Sequence, residues 1–568
     1  MSDKHTHLTW WKQAIGYIIY PSAFKDENGD GVGDLRGIIS KLDYLRDLGV
    51  DLLWICPFFK SPMDDNGYDV SDYRQIDPRF GTNEDFDLLI KEAHSRNIRI
   101  VVDFVLNHTS DEHPWFIEAR NTPQSSKRNY YLMQPPRYVN GKRMPPNNWK
   151  GFFSTSAWSF DEVANAYYMH IFSKKMPDVN WANPLLREEY YKIAKYYLDK
   201  GVDGFRLDAL AHLARDLTFQ DSKYPLDENG LAFDMSKYSN RPELFDYMRE
   251  FNERVFSQYD CVTIGEVGGG ISPEESLKLS GYENGSISMV FNFDTAWENG
   301  AYDSINKSDE QISTNVIKLK NNFARWHRIC DGKAWMPLYW DNHDHPRVLS
   351  QYGSVAFRKQ SAKMLITTLL FMYGTPFIYY GDEIGMSNVD YQDINDFNDV
   401  SARNFLAENS GKYNLETLLR FLRRTSRVNA RTPMQWSGEL HAGFSNVPPQ
   451  QKVNGNYQEV NVKDQLDDED SILRYYQKAI ALRKEATMRQ SVLFGPFSFI
   501  DIDNSDVFAY KHEGMRKIAV ISNFRAKNVT FAIDFTIKKV LLHNYKDNKI
   551  QETAILLRPF ECYLFEIE

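Results

Sequence analysis

Along residues 14–380, short apolar runs alternate with stretches of helical period. The runs lie at 14–20, 50–56, 98–105, 201–209, 262–267, 287–293, 336–341 and 376–380. Each has the length of a buried strand. Between the first two, Leu35, Ile38, Ile39, Leu42, Leu45 and Leu48 mark one helix face, and Gly49 ends it. Further helices are expected over 84–96, 242–256 and 357–372. Asn183 and Pro184 read as the N-cap and first turn of another, with Leu186, Tyr190, Ile193 and Tyr197 as its buried stripe. Eight strand–helix units in this order predict a (β/α)8 TIM barrel, an α/β architecture.

Two stretches interrupt the rhythm, and the texture changes once more at the end. Residues 109–183 are rich in aromatics, Pro and Ser without a helix period, and read as a subdomain inserted after strand 3. Residues 387–470 are polar and turn-rich and read as a long loop excursion, before a last amphipathic helix at 471–485. Short alternating runs at 507–510, 518–521, 529–533, 540–542 and 563–565 predict a C-terminal antiparallel β domain. The barrel is therefore expected over 1–108 and 184–486, inserted subdomain B over 109–183, and the β domain over 487–568.

Composition narrows the partners. Aromatics reach 14% of the 568 residues, and flat rings suit the apolar faces of sugars as well as a core. The net charge of -10 argues against nucleic acid or an anionic membrane. No apolar run has membrane-spanning length, and the first residues carry no apolar signal core. Cys56, Cys261, Cys330 and Cys562 are widely spread, with no metal spacing and no disulfide framework. A cytoplasmic enzyme of small-molecule substrates is expected, as a monomer or dimer.

The candidate chemistry sits where the strands end. In a barrel, polar residues at the C-terminal strand ends build the site. Those ends supply His108, the pair Arg206 and Asp208, Glu266, and Asn342-His343-Asp344, while Asp69 follows strand 2. Clustered like charges repel, so such a rim implies a use for them. Arg206 and Asp208 point to the same side of one strand, and the arginine is expected to keep the aspartate ionised. A structural ion pair is the alternative for those two alone. Glu266 follows an apolar strand beside uncharged glycines, which suits an acid of raised pKa. A nucleophilic carboxylate paired with such an acid is what a retaining glycosidase needs. Upstream, 26–34 alternates oxygen side chains with glycines, as chains do around a hard cation such as Ca²⁺. A merely polar turn is the alternative. His212 and His327 read as helix or surface residues.

These residues resemble glycoside hydrolase family 13, the α-amylase superfamily, and within it the oligo-1,6-glucosidase and α-glucosidase branch. The resemblance spans essentially the whole chain. It rests on Asp103-Phe104-Val105-Leu106-Asn107-His108, Gly204-Phe205-Arg206-Leu207-Asp208, Gly265-Glu266 and Asn342-His343-Asp344, with Met176-Pro177-Asp178-Val179-Asn180 and Arg431-Thr432-Pro433-Met434-Gln435-Trp436 as further markers. It implies Asp208 as nucleophile, Glu266 as acid/base and Asp344 as transition-state stabiliser. His108, His343 and Arg206 would belong to the substrate site, with Tyr68 as stacking floor and Phe172 beside the sugar ring. Asp69 and Arg427 would clamp the terminal 4-hydroxyl and make the enzyme exo-acting. The family usually reads Arg-Asp-Asn at 427–429, and here Val428 replaces the aspartate. Calcium would be held by Asp26, Asn28, Asp30, Asp34 and the carbonyl of Val32, and no organic cofactor is implied. In this branch valine after the nucleophile accompanies α-1,6 cleavage. Ala209 therefore favours α-1,4 bonds and short malto-oligosaccharides. Oligo-1,6-glucosidase, trehalose-6-phosphate hydrolase and sucrose isomerase or transglucosidase activity share the scaffold, as do non-catalytic homologues.

Overall fold

A computed structural model describes residues 9–153, 156–551 and 553–568. Eight parallel strands form its centre: β1 (Gly16–Ile19), β2 (Leu52–Ile55), β3 (Arg99–Val105), β4 (Gly204–Asp208), β5 (Val262–Glu266), β6 (Met289–Phe291), β7 (Pro337–Leu338) and β8 (Thr375–Tyr379). Their order is β6-β5-β4-β3-β2-β1-β8-β7, so each strand lies beside its sequence neighbour and β1 pairs with β8. Among the described residues no ladder joins β6 to β7. Phe291 and Tyr339 stack across that seam with ring centroids 3.8 Å apart. This is the (β/α)8 barrel with every expected strand in place.

The strands are buried on both faces, which is why they read as continuous apolar runs and do not alternate. The helix Pro184–Asp199 starts where expected, with the Asn183 side chain accepting from the Leu185 N–H, a cap worth about 1 kcal/mol. Close packing is visible at Gly265: a Cβ there would lie 2.5 Å from Leu210 and 2.6 Å from Ile287, so no larger residue fits without moving both.

Three regions differ in detail from expectation. The insert after β3 holds a three-stranded antiparallel sheet (Met133–Gln134, Ala166–Met169, Trp158–Asp161), but also a helix, Pro114–Asn121, started by His113 and Pro114. At eight residues that helix is too short to show a period. The 387–470 excursion contains the helices Val400–Asn409 and Leu415–Thr425. Leu419 and Leu422 bury the inner face of the second against Val389, Tyr391, Phe397 and Val428. Flanking polar turns masked that spacing in the sequence. Finally, the helix Ala486–Phe494 precedes the C-terminal strands, which begin only at Phe497. Those strands form a five-stranded antiparallel sheet and a separate two-stranded one.

Candidate active site

β4 delivers Arg206 and Asp208 to the barrel mouth, and register sets Arg206 opposite Asp103 of β3. The guanidinium, 1% exposed, is a hub for three carboxylates. Nη1 donates to Asp103 Oδ1 at 2.7 Å and to Asp208 Oδ1 at 2.5 Å. Nη2 lies 2.7 Å from Glu266 Oε2. One guanidinium thus bridges both candidate catalytic acids. Ala209 follows in the left-handed region, with φ 47, and this turn aims its N–H at Glu266 Oε2, 2.8 Å away. A non-glycine residue there stores backbone strain, and such strain is a mark of functional sites.

Burial is the largest influence on Asp208, and it pushes the carboxyl well above its ordinary range. Arg206 pulls it down, while Glu266 and Asp103 push it up again. Arg206 does sit on Asp208 as expected, but its one cation is shared among three acids.

Asp344 sits in the opposite balance. Burial opposes its ionisation, but His343, Arg427 and Arg431 outweigh that and hold it well below the usual carboxylate range. Its Oδ1 takes Arg427 Nη1 at 3.2 Å and Arg431 Nη2 at 3.0 Å. Its Oδ2 lies 3.2 Å from His343 Nε2.

A cavity of about 540 Å³ opens between these groups. Asp208, Glu266, Asp344, Tyr68, His108, Phe172 and Arg427 line it. The buried Nε2 of His108 has no partner among the described residues, and burial lowers the ring to about 3, so it is neutral. Phe172 packs edge-on against His108 and stacks on Phe152. Tyr68 stacks on His343 at 5.4 Å.

Three sequence-predicted residues take other places. Asp69 is fully buried and does not line the cavity. Its oxygens accept from Ser61 Oγ and from the backbone of Asp64 and Asp65. The acid that meets Arg427 is Asp65, four residues earlier, at 2.5 Å from Nη2. The clamp assignment therefore moves from Asp69 to Asp65, because the turn at 64–67 points Asp65 outward and Asp69 back into its own loop. His343 lies behind the wall, with Nε2 on the Tyr68 hydroxyl at 2.5 Å and Nδ1 beside Cys56. Arg206 lies under the floor. Both position other groups and do not reach the cavity. In turn, the structure adds Asp65, His212, His345 and Trp297 to the lining. His212, read as a helix residue, faces the cavity because Ala209 turns the chain directly after β4.

The chain belongs to the α-amylase family. The family model for the alpha amylase catalytic domain matches residues 18–491. An oligo-1,6-glucosidase of Bacillus cereus is 41% identical over 571 residues, covering 98% of this chain and 99% of that protein. The solved isomaltulose synthase of Erwinia rhapontici, a variant in complex with sucrose, superposes with a TM-score of 0.92 at 36% identity, covering 99% of this chain and all of that one. Trehalose-6-phosphate hydrolase of Bacillus licheniformis gives 0.90 at 36%, covering 98% and 100%. This member is thus a glycoside hydrolase. No helix among its described residues is long and apolar enough to cross a membrane.

The loop at 26–34 lies apart from the cavity. Asp26 and Asp34 are buried in it, and Asn28 and Asp30 are exposed. Asp26 accepts from the Gly29 and Gly31 N–H groups and from Ser445 Oγ. Asp34 accepts from Glu27, Asn28 and Gly37. Burial raises Asp34 and the charge of Asp26 adds to it. No ion pair to either acid occurs among the described residues. Two buried carboxylates without an ion pair, with further oxygens on one turn, have the donor chemistry of a hard-cation loop, although no ready-made group of three acids converges there among the described residues.

Proposed function

We propose that this glycoside hydrolase is a retaining, exo-acting α-glucosidase that releases glucose from the non-reducing end of short α-glucosides. The observation that carries the reading is the single Arg206 guanidinium bridging Asp208 and Glu266. Carboxyls joined in this way fit the roughly 5–5.5 Å spacing of a retaining pair better than the roughly 6.5–9.5 Å spacing of an inverting one. Asp208 attacks the anomeric carbon while Glu266 protonates the departing oxygen. Glu266 then takes a proton from the water that releases glucose. Asp344, held anionic, faces the positive charge that develops on the ring. Asp65 and Arg427 close the far end, which supports exo action.

The cavity also supports a neutral substrate. Arg427 is the only guanidinium or ammonium among the described lining residues. Its nitrogens are taken by Asp65, Asp344 and Asp399. Burial keeps His212 near 3 and His345 near 4, so neither supplies a cation for a phosphoryl group at neutral pH. For linkage, Ala209 lines the cavity and leaves space that a β-branched residue would fill, which favours α-1,4. The similarity to an oligo-1,6-glucosidase favours α-1,6 as the second reading. Calcium, held by Asp26, Asn28, Asp30, Asp34 and the Val32 carbonyl, would neutralise the buried pair and brace the loop after β1.

Glucose release from maltose, isomaltose, sucrose, trehalose and trehalose 6-phosphate tests all of this. Preference for maltose supports the full reading. Preference for isomaltose keeps the mechanism and overturns the role of Ala209. Preference for the phosphorylated sugar overturns the neutral-substrate argument.

A further inference from the structure

Arg427 and Arg431 lie against the same two carboxylates, yet only one of these, Asp344, faces the cavity. The other is Asp399, whose side chain is 1% exposed. It comes from the 387–470 excursion, where it caps the helix Val400–Asn409. Its Oδ1 accepts from Arg427 Nε at 2.9 Å and from Ser401 N and Oγ at 2.9 and 2.5 Å. Its Oδ2 accepts from Arg431 Nη1 at 3.2 Å and Asn66 Nδ2 at 3.3 Å. Asn66 directly follows Asp65, so Asp399 ties both sides of the clamp.

We propose that Asp399 is a positioning residue that sets the two arginines for substrate binding. The proposal rests on the α-glucosidase reading and adds a part to it. Two buried guanidiniums side by side repel, and each has donors to spare. By engaging Nε of Arg427, Asp399 leaves Nη1 for Asp344 and Nη2 for Asp65. By engaging Nη1 of Arg431, it leaves Nη2 for Asp344 and Nε for the His343 carbonyl, at 2.9 Å. Each guanidinium nitrogen thus has one acceptor. The neighbour of Arg427 in sequence cannot supply this charge: Val428 is 2% exposed and packs in an apolar cluster. A carboxylate 28 residues from Arg427 supplies it across space.

The test compares Asp399→Asn with Asp399→Glu, measuring KM, kcat, glucose binding by calorimetry and Tm. An interaction that holds ground and transition states alike raises KM and spares kcat. Expected for the asparagine variant is a rise of about tenfold in KM and in the glucose dissociation constant, with kcat within about threefold. The glutamate variant, which keeps the charge, recovers most of that loss. The proposal is overturned if the asparagine variant binds glucose as the wild type does. It is equally overturned if both variants lose affinity only in proportion to a fall in Tm. A wild-type protein that releases no glucose from any α-glucoside instead overturns the underlying reading. Glucose binding still reports on Asp399 in that case.

Discussion

Two arginine-centred networks face each other across the cavity, and they differ in the number of arginines per acid. On the floor, one guanidinium serves Asp103, Asp208 and Glu266. On the far wall, two guanidiniums serve Asp65, Asp344 and Asp399. The residue types are the same and the outcomes differ. Burial wins on the floor and raises Asp208. Cations win on the wall and depress Asp344. One carboxyl is held up and another down by a change in the ratio of arginine to acid, with His343 beside Asp344 adding the largest downward pull on the wall.

The largest break in this contrast is Asp208→Asn. It keeps the shape of the floor and removes the proposed nucleophile, so kcat should fall by roughly 10,000-fold or more, while glucose still binds the wall in calorimetry. Retained turnover would disqualify the floor as the reacting centre.

Next comes Asp65→Asn set beside Asp69→Asn. The first removes a partner of Arg427 in the cavity and should raise KM by about 10- to 100-fold, about 1.4–2.7 kcal/mol of lost binding. The second should leave KM unchanged and alter stability instead. Burial pushes Asp69 up to about 6 from an ordinary 3.8, so the folded state binds its proton more tightly than the unfolded one. Stability then falls as pH rises from about 4 to about 6, by up to roughly 3 kcal/mol. Asp69→Asn should flatten that slope in denaturant titrations. An unchanged slope, or a KM effect larger than that of Asp65→Asn, would reverse the assignment made here.

Ala209→Val probes the edge of the floor. It should shift the ratio of kcat/KM values toward isomaltose by about 1–3 kcal/mol. It should also cost about 1–2 kcal/mol of stability, because a β-branched residue at φ 47 is strained. An unaltered ratio would separate linkage preference from this position. The smallest effect is outside both networks. Chelation of the calcium proposed for the 26–34 loop should lower Tm by about 2–4 °C and leave KM for maltose alone. A changed KM would connect the loop to the cavity after all.

How far the sequence could be read varies along the chain. Strands buried on both faces leave long apolar runs, so all eight were visible. Residues on those strand ends, such as Arg206 and Asp208, inherit their placement from the strand and were equally visible. Asp65 and Asp69 were not separable, since both follow strand 2 in one turn and only the backbone path shows which faces the cavity. Asp399 carried no local signal: its partners lie 28 and 32 residues away, and its own segment read as polar loop. His212 was hidden by the turn at Ala209, whose left-handed backbone no pattern of apolar positions reveals.

What the sequence determined by itself was the order of eight buried strands, the acids at their ends and the family they resemble, because periodicity and strand register are local properties. Tertiary structure alone decided how many carboxylates share each arginine. That ratio depends on loops far apart in the chain meeting over the barrel mouth, and it sets how strongly each carboxyl is pushed up by burial or held down by cations.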